Sequence, residues 1–370
     1  MKKPLALMIA ALATAAGLAA PAYAQAPADP VQADLNKLVP DFPGAFATVR
    51  DADGKTRSYT AGMADLETEA EIPADARARI GSATKMFTSV IVLQLAGEGK
   101  VELDAPIEKY LPKLIRGNGN DGRKITVRRL LQHTSGLPNY TKYIPPISEL
   151  QHQYMEPRET LDLALAHKPS FAPGKSWEYS NTGYTVLGLL VQKVTGRPIG
   201  EVITDRIIEP LGLRDTYWPS LGEQVIRGPH PKGYAVKKPG EPPTDVTNLD
   251  PSWGWAAGEL VATPGDVNRF LVGLMDGKLL KPAQLQQMKQ TVEAPGLMKG
   301  WRYGLGLIKF PLSCGGYAWG HGGDIDGFET RNGITEDGRA ATVAVTALPT
   351  SQASADRVNA TLDSALCAGK

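Results

Sequence analysis

The segment Arg79-Ile80-Gly81-Ser82-Ala83-Thr84-Lys85-Met86-Phe87 decides how the rest of the chain is read. A glycine precedes Ser82, and an apolar run follows: Met86, Phe87, Val90, Ile91, Val92, Leu93 and Leu95. That run predicts a buried helix ending near Gly97 and Gly99, with Ser82 in its first turn. Lys85 lies three residues on, on the same helix face and within reach of the hydroxyl. A serine hydroxyl is a weak nucleophile until a neighbour takes its proton. A lysine among apolar groups has its charged form disfavoured, which fits it for that task. Ser-x-x-Lys is nonetheless a short pattern of common residues. An N-capping serine beside a solvated lysine would look the same, so the remainder of the sequence must discriminate.

The 370 residues are 42% hydrophobic and 21% charged, enough for one large globular domain or two ordinary ones. With a formal charge of +1, no basic excess points to nucleic acid or to an anionic membrane. Residues 1–24 have the layout of a secretory signal peptide: Lys2 and Lys3, an apolar stretch over 5–20, then Ala22-Tyr23-Ala24. The expectation is an exported protein, periplasmic or extracellular, whose mature chain begins at Gln25. The apolar stretch is short for a spanning helix and no later segment is long enough, so no transmembrane segment is expected in the mature chain. Cys314 and Cys367 are the only cysteines. In an exported chain they read as one disulfide or as two buried thiols, and they cannot hold a metal alone.

Residues 44–50 and 56–61 alternate as strands about an Asp53-Gly54 turn, and 63–79 read as loop. Short helices are predicted over 104–111, 126–133, 157–167, 182–195 and 199–208, the last ending at Pro210. Residues 228–243, rich in Pro, Gly and Lys, read as a surface loop. Further on come helices at 264–275 and 282–288, strands at 303–310, 317–320, 327–334 and 341–348, and a closing helix at 353–366. The fold class is therefore α+β. An antiparallel sheet is built from both ends of the chain (25–100 and 250–370), flanked by helices, with a mainly helical region (101–249) inserted.

Several motifs fail in context. Gly117-Asn118-Gly119-Asn120-Asp121-Gly122 fits G-x-G-x-x-G, but no strand precedes it and no apolar helix follows. Gly174-Lys175-Ser176 resembles the end of a phosphate loop, with Pro169 where the first glycine belongs. There is no G-x-S-x-G elbow and no His-Glu-x-x-His zinc motif. Two others add to Ser82 and Lys85. Tyr179-Ser180-Asn181 precedes an apolar helix. A phenol there suits proton transfer and an amide suits holding a substrate carbonyl, although a tyrosine packing the start of a helix reads the same way. His321-Gly322-Gly323 falls on a predicted strand, where glycines let a substrate backbone approach an edge; a glycine-rich turn with a structural histidine is the alternative. Lys238-Pro239-Gly240 fits Lys/His-x-Gly as well but sits in the proline-rich loop.

The order Ser-x-x-Lys, Tyr-Ser-Asn, His-x-Gly resembles that of the penicillin-recognising serine hydrolases, in particular the D-alanyl-D-alanine carboxypeptidases and class C β-lactamases. The resemblance extends to His133-Thr134-Ser135-Gly136-Leu137, Glu209-Pro210-Leu211-Gly212-Leu213, Ser252-Trp253, Tyr303-Gly304-Leu305-Gly306-Leu307 and Trp319-Gly320-His321-Gly322-Gly323. It implies a β-lactamase/transpeptidase-like fold and a two-step acyl transfer through Ser82, with Lys85 and Tyr179 moving its proton. The backbone N–H groups of Ser82 and Asp324 would form the oxyanion hole. Asn181 would contact the acyl side, His321 would support Tyr179 and the far end of the substrate, and Trp253 would wall the pocket. Gly322, Gly323 and Asp324 would line the substrate strand. Cys314 and Cys367 match a disulfide pair of this group. No metal or cofactor is implied.

The departures bear on substrate. The resembled carboxypeptidase has an arginine just after the Tyr-Gly-Leu-Gly-Leu strand that helps bind the substrate's terminal carboxylate; Ile308 stands here. Hydroxyl residues flank the glycine of its His-x-Gly motif, where this chain has Gly322 and Asp324. A carboxylate facing a carboxylate costs about 1–4 kcal/mol at contact. Peptides ending in a free D-Ala are thus expected to be poor substrates unless Lys309 or Arg331 reaches in, and Asp324 favours an amine-bearing, amidated or ester substrate. The expected partners are small peptides, amides or esters, with β-lactams as substrates or inhibitors. An esterase or a class C-like β-lactamase on the same scaffold is the alternative. A non-catalytic β-lactam-binding relative would be marked by a broken Ser82, Lys85 or Tyr179, and all three are present.

Overall fold

The computed structural model describes residue 1, residues 29–236, residue 238 and residues 241–368. Residues 2–24 of the expected signal segment lie outside them, as do Pro239 and Gly240. In chain order, the elements that build the sheet and carry the site are α1 (Pro30–Asn36), β1 (Gly44–Arg50), β2 (Thr56–Asp65), β3 (Ala70–Glu71), α2 (Thr84–Gly97), α3 (Asn181–Thr195), α4 (Trp255–Gly258), α5 (Pro264–Met275), β4 (Val292–Glu293), β5 (Arg302–Tyr303), β6 (Ile308–Pro311), β7 (Tyr317–Gly320), β8 (Gly323–Ile325), β9 (Phe328–Thr335), β10 (Ala340–Val345) and α6 (Gln352–Cys367).

These strands form one sheet in the order β4-β5-β6-β7-β9-β10-β1-β2-β3, with the short β8 paired to β9. Every pairing in it is antiparallel. The two ends of the chain meet at its centre, where β1 pairs with β10 from Ala45↔Val345 to Arg50↔Ala340. β10 reads Ala-Ala-Thr-Val-Ala-Val and is buried throughout. Small and β-branched side chains suit a strand covered on both faces. Ala341, Val343 and Val345 pack with Val358 and Leu362 of α6. The other face meets α5, where the Thr342 hydroxyl donates to Asn268 at 2.8 Å. The Cys314–Cys367 disulfide ties the β6–β7 connection to the end of α6.

α2 is buried along almost its whole length, from Thr84 to Leu95. A helix apolar on all sides belongs inside a core. Its Ile91, Val92 and Leu93 share one cluster with Val186, Leu187 and Leu190 of α3 and with Phe270 and Leu271 of α5. Phe87 stacks on Phe270 with ring centroids 3.9 Å apart. Each such side chain contributes about 1.5–3 kcal/mol by leaving water. Ser82, at the head of α2, is thus anchored to a large cluster of buried apolar side chains. α3 ends at Gly196, which takes the left-handed conformation (φ 70°) that stops a helix. Among the described residues, no helix is long and apolar enough to cross a membrane.

Several boundaries differ from the sequence reading. Residues 303–310 are not one strand: Tyr303 pairs with Ile308 across a tight hairpin. Its turn is closed by the Gly304 N–H donating to the Leu307 carbonyl at 2.7 Å. Residues 104–111 hold only a single turn, Ile107–Lys109. The stretch read as loop contains β3 and the short strand Ala78–Arg79. The helix beginning at Ile199 runs through Pro210 to Leu211 by way of a wide turn at Thr204–Ile208. His321 and Gly322 are not on a strand; they join β7 to β8.

Candidate active site

The serine turn is held by backbone pairing on both sides. Ala78 and Arg79 pair with Ala262 and Val261, and the Ile80 N–H donates to the Leu260 carbonyl at 2.9 Å. Gly81–Ala83 then form one 3₁₀ turn and α2 begins at Thr84, so Ser82 stands just ahead of the helix rather than in its first turn. Gly81 has φ 48°, and a Cβ there would lie 2.9 Å from Asp324 N. The missing side chain lets the serine turn close against the backbone of β8.

Lys85 Nζ lies 2.8 Å from Ser82 Oγ and 2.7 Å from the Ala257 carbonyl, to which it donates. The lysine is fully buried. Burial pushes its pKa well below the ordinary lysine value, with the Asp324 charge opposing the shift. Tyr179 closes the other side, with Lys85 Nζ 4.9 Å from its ring centroid. Its phenol is pushed well above the ordinary range by desolvation, although a hydrogen bond with Ser82 acts in the opposite direction. The two groups around Ser82 are therefore displaced in opposite senses. An amine is driven towards its neutral, basic form and a phenol is kept protonated.

Ser82, Tyr140, Asn181, Trp253, Asp324 and Ile325 line a cavity of about 30 Å³. Trp253 is fixed through its carbonyl, which accepts from the Tyr140 hydroxyl at 2.5 Å. The Asn181 N–H donates to the Asn139 side chain at 3.1 Å. A larger groove of about 630 Å³, lined by Trp218, Leu221 and Trp255 among others, contains none of Ser82, Lys85 or Tyr179.

His321 is committed within the protein. Its Nε2 lies 2.9 Å from the Tyr303 hydroxyl and its Nδ1 lies 2.6 Å from the Gly322 carbonyl. Neither nitrogen is left for Tyr179, whose ring centroid is 6.1 Å away. Gly323 abuts the serine turn, since a Cβ there would fall 1.8 Å from the Ile80 carbonyl oxygen. Gly322 makes room for Arg331, whose Nη1 would lie 2.9 Å from an added Cβ. Arg331 does reach in: its Nη1 bonds the exposed Asp324 carboxylate at 2.7 Å, and its Nη2 lies 3.2 Å from buried Glu329. Burial pushes the Glu329 carboxyl up to about 7, Arg331 opposing. Lys309 lies 4.0 Å from the Tyr317 ring centroid, paired with that aromatic face. Ile308 is buried in β6.

Two residues of this neighbourhood were not candidates on sequence. His133 and Tyr303 lie inside quoted motifs, but nothing in their spacing ties them to Tyr179. The structure brings the His133 ring to 4.3 Å from the Tyr179 ring, centroid to centroid.

The chain was compared with known proteins. A D-stereospecific amidohydrolase from Streptomyces sp. superposes with a TM-score of 0.82 and 38% identity, over 90% of this chain and 97% of that one. A D-amino acid amidase from Ochrobactrum anthropi SV3, complexed with L-phenylalanine amide, gives a TM-score of 0.79 and 28% identity, over 91% and 96%. Penicillin-binding protein 4 of Amycolatopsis lactamdurans is 26% identical over 305 residues, covering 80% of this chain and 74% of that protein. The family model described as Beta-lactamase matches residues 32–366. The chain therefore belongs to the Beta-lactamase family, as a serine hydrolase of β-lactamase/transpeptidase-like fold.

Proposed function

We propose that this enzyme cleaves amides of D-amino acids, including small D-peptides, through an acyl-enzyme on Ser82. The observation that carries the reaction type is the 2.8 Å contact between Ser82 Oγ and the buried Lys85 Nζ, with the protonated Tyr179 phenol opposite. Groups pushed apart in this way mark the base and the acid of a site. The neutral lysine takes the serine proton as Oγ attacks the substrate carbonyl. Tyr179 supplies a proton to the departing nitrogen as the C–N bond breaks and regains one from the protonated Lys85, which becomes neutral again. Water then attacks the ester carbonyl, its proton returning through the same pair, and the free acid leaves. The N–H groups of Ser82 and Asp324 are the proposed oxyanion donors, and Gly81 packing against Asp324 supports that pairing. Asn181 and Trp253 are assigned to the acyl side.

The substrate class follows from the cluster at the rim. Arg331 relieves the isolated charge of Asp324 but is shared between two carboxylates. One guanidinium against Asp324 and Glu329 leaves no surplus positive charge for a substrate carboxylate. A neutral amide or an ammonium group suits that place better. The two solved relatives, a D-stereospecific amidohydrolase and a D-amino acid amidase, accord with this. We also take the chain to be exported, with which the Cys314–Cys367 disulfide is consistent.

A substrate panel tests the reading: D- and L-phenylalanine amide, a peptide ending in free D-Ala, a small acyl ester and a chromogenic cephalosporin, each with Ser82→Ala as control. The D-amide should lead in kcat/KM, exceeding its L-enantiomer and the D-Ala peptide by at least tenfold, about 1.4 kcal/mol. A leading cephalosporin would make the enzyme a β-lactamase, and a leading D-Ala peptide would make it a carboxypeptidase.

A further inference from the structure

We propose that His133 and Tyr303 are positioning residues that set Tyr179 against β8 through a hydrogen-bond chain running in one direction. This rests on the reaction proposed above only for the consequence to catalysis; the chain itself is read from geometry.

His133 clamps the backbone on both sides of Tyr179. Its carbonyl accepts from the Glu178 N–H at 3.1 Å, and its Nδ1 accepts from the Ser180 N–H at 3.2 Å. A backbone N–H can only donate, so Nδ1 carries no proton and Nε2 must carry it. Nε2 lies 3.0 Å from the Tyr303 hydroxyl oxygen and donates to it. At the far end, His321 Nδ1 faces the Gly322 carbonyl at 2.6 Å. A carbonyl can only accept, so there Nδ1 carries the proton and Nε2 is bare. The Tyr303 hydroxyl, 2.9 Å away, then donates to it. The order is Ser180 N–H to His133, His133 to Tyr303, Tyr303 to His321, His321 to Gly322. The two imidazoles are held in opposite tautomers, and the Tyr184 hydroxyl, which also hydrogen-bonds with Tyr303, lies beside the chain.

Three further observations agree. His133, Tyr303 and His321 are all buried, at 1%, 0% and 3% exposure, so their polar atoms depend on one another. His133 takes a left-handed backbone (φ 61°), a costly conformation for a residue with a side chain, held here by the bonds of its ring and carbonyl. Gly304 and Gly306 permit the hairpin that presents Tyr303: a Cβ would fall 2.3 Å from the Met288 carbonyl at one and 2.0 Å from Ser89 Oγ at the other. Burial and the nearby Lys85 also disfavour charging either histidine. The other groups facing the chain are Tyr184, whose hydroxyl donates to the Leu131 carbonyl at 2.9 Å, and the Asp324–Arg331 pair beyond Gly322. The chain thus spans the cleft, from the segment that carries Tyr179 to the strand that carries Asp324. Its neutral rings add no cation beside the lysine.

Imidazole ¹⁵N NMR of the whole protein tests the chain without reference to activity. Among the five histidines, one should appear as the Nε2–H tautomer and one as the Nδ1–H tautomer, both unchanged from pH 5 to pH 9. His133→Asn and His321→Asn spectra assign them. Two buried histidines in the same tautomer, or a His321 that titrates in that range, would overturn the proposal. For the consequence, Tyr303→Phe keeps the ring and removes the hydroxyl. It should lower kcat by about 10- to 100-fold with KM nearly unchanged, the scale of a small misplacement of a reacting group. His133→Asn, whose Oδ1 can replace Nδ1 towards Ser180, should retain more kcat than His133→Ala. A folded Tyr303→Phe enzyme within twofold of the parent, or equal losses in the two His133 variants, would contradict the positioning role. If instead no serine adduct forms in the parent enzyme, the reaction reading fails while the NMR result stands.

Discussion

In the proposed reaction, Lys85 is the base on which the chemistry depends. Its amine is buried, sits between Ser82 and the Ala257 carbonyl, and is pushed well below the ordinary lysine range by desolvation. Activity should therefore fall as pH drops through this depressed pKa. The acid limb of kcat/KM will lie well below where an exposed lysine titrates, and Lys85→Met should abolish it while lowering kcat by about 10²–10⁴-fold. A full pH profile of both enzymes checks this. Ser82, Lys85 and Tyr179 were legible because each sits in a short motif whose spacing implies contact or a helix start. His133 was not, because its proposed role depends on a left-handed backbone and a ring that accepts from the distant Ser180 N–H. Arg331 could be named from sequence only as a residue that reaches Asp324 or does not; the emptiness of Gly322 decides it.

At the scale of elements, the cleft depends on how closely β8 lies against the serine turn. Gly323→Ala would drive a methyl into the Ile80 carbonyl oxygen, which is backbone and cannot swing aside. The strand must then move away from Ser82 and take the Asp324 N–H with it. The expected result is a loss of kcat by about 10²-fold, the scale found when one oxyanion donor is removed, with a smaller change in KM. Steady-state kinetics beside a circular dichroism melt separate this from unfolding. Long patterned stretches were readable: β1, β10, α5 and α6 fall within a residue or so of where the sequence puts them at one end or both. The 303–310 stretch was not. Its alternating apolar residues imitate a strand, and only the paired glycines, Gly304 and Gly306, hinted at a turn. His321-Gly322 was assigned to a strand, whereas β7 stops at Gly320 and β8 begins at Gly323, against the serine turn.

Across the whole molecule, chain ends that meet in β1 and β10 could be anticipated from strands at both termini and helices between them. We take residues 25–100 with 250–370 as one lobe and 101–249 as the other, with the cleft between them. Long-range charge placement was not legible. Glu259 follows α4 and is buried near Asp250 and Arg79, and burial pushes its carboxyl up to about 8. The folded chain thus retains a proton that the unfolded chain releases between pH 4.5 and about 8. This favours folding at the acid end and is lost as pH rises through the window. Glu259→Gln, neutral throughout, should gain in melting temperature relative to the parent as pH increases from 4.5 to 8. His133 and His321 act in the opposite sense, but they are common to both proteins and cancel in the difference. A difference that does not vary with pH, read by calorimetry, would count against a buried, protonated Glu259.

In the proposed reaction Ser82 becomes covalently acylated with Lys85 as its base. Acid-quenched intact-protein mass spectrometry during turnover of D-phenylalanine amide or a slow acyl ester addresses it directly. The expected result is a mass increase equal to the acyl group, mapped to the peptide containing Ser82 and absent from Ser82→Ala. Undiminished turnover by Ser82→Ala, or an adduct on any other residue, would contradict it.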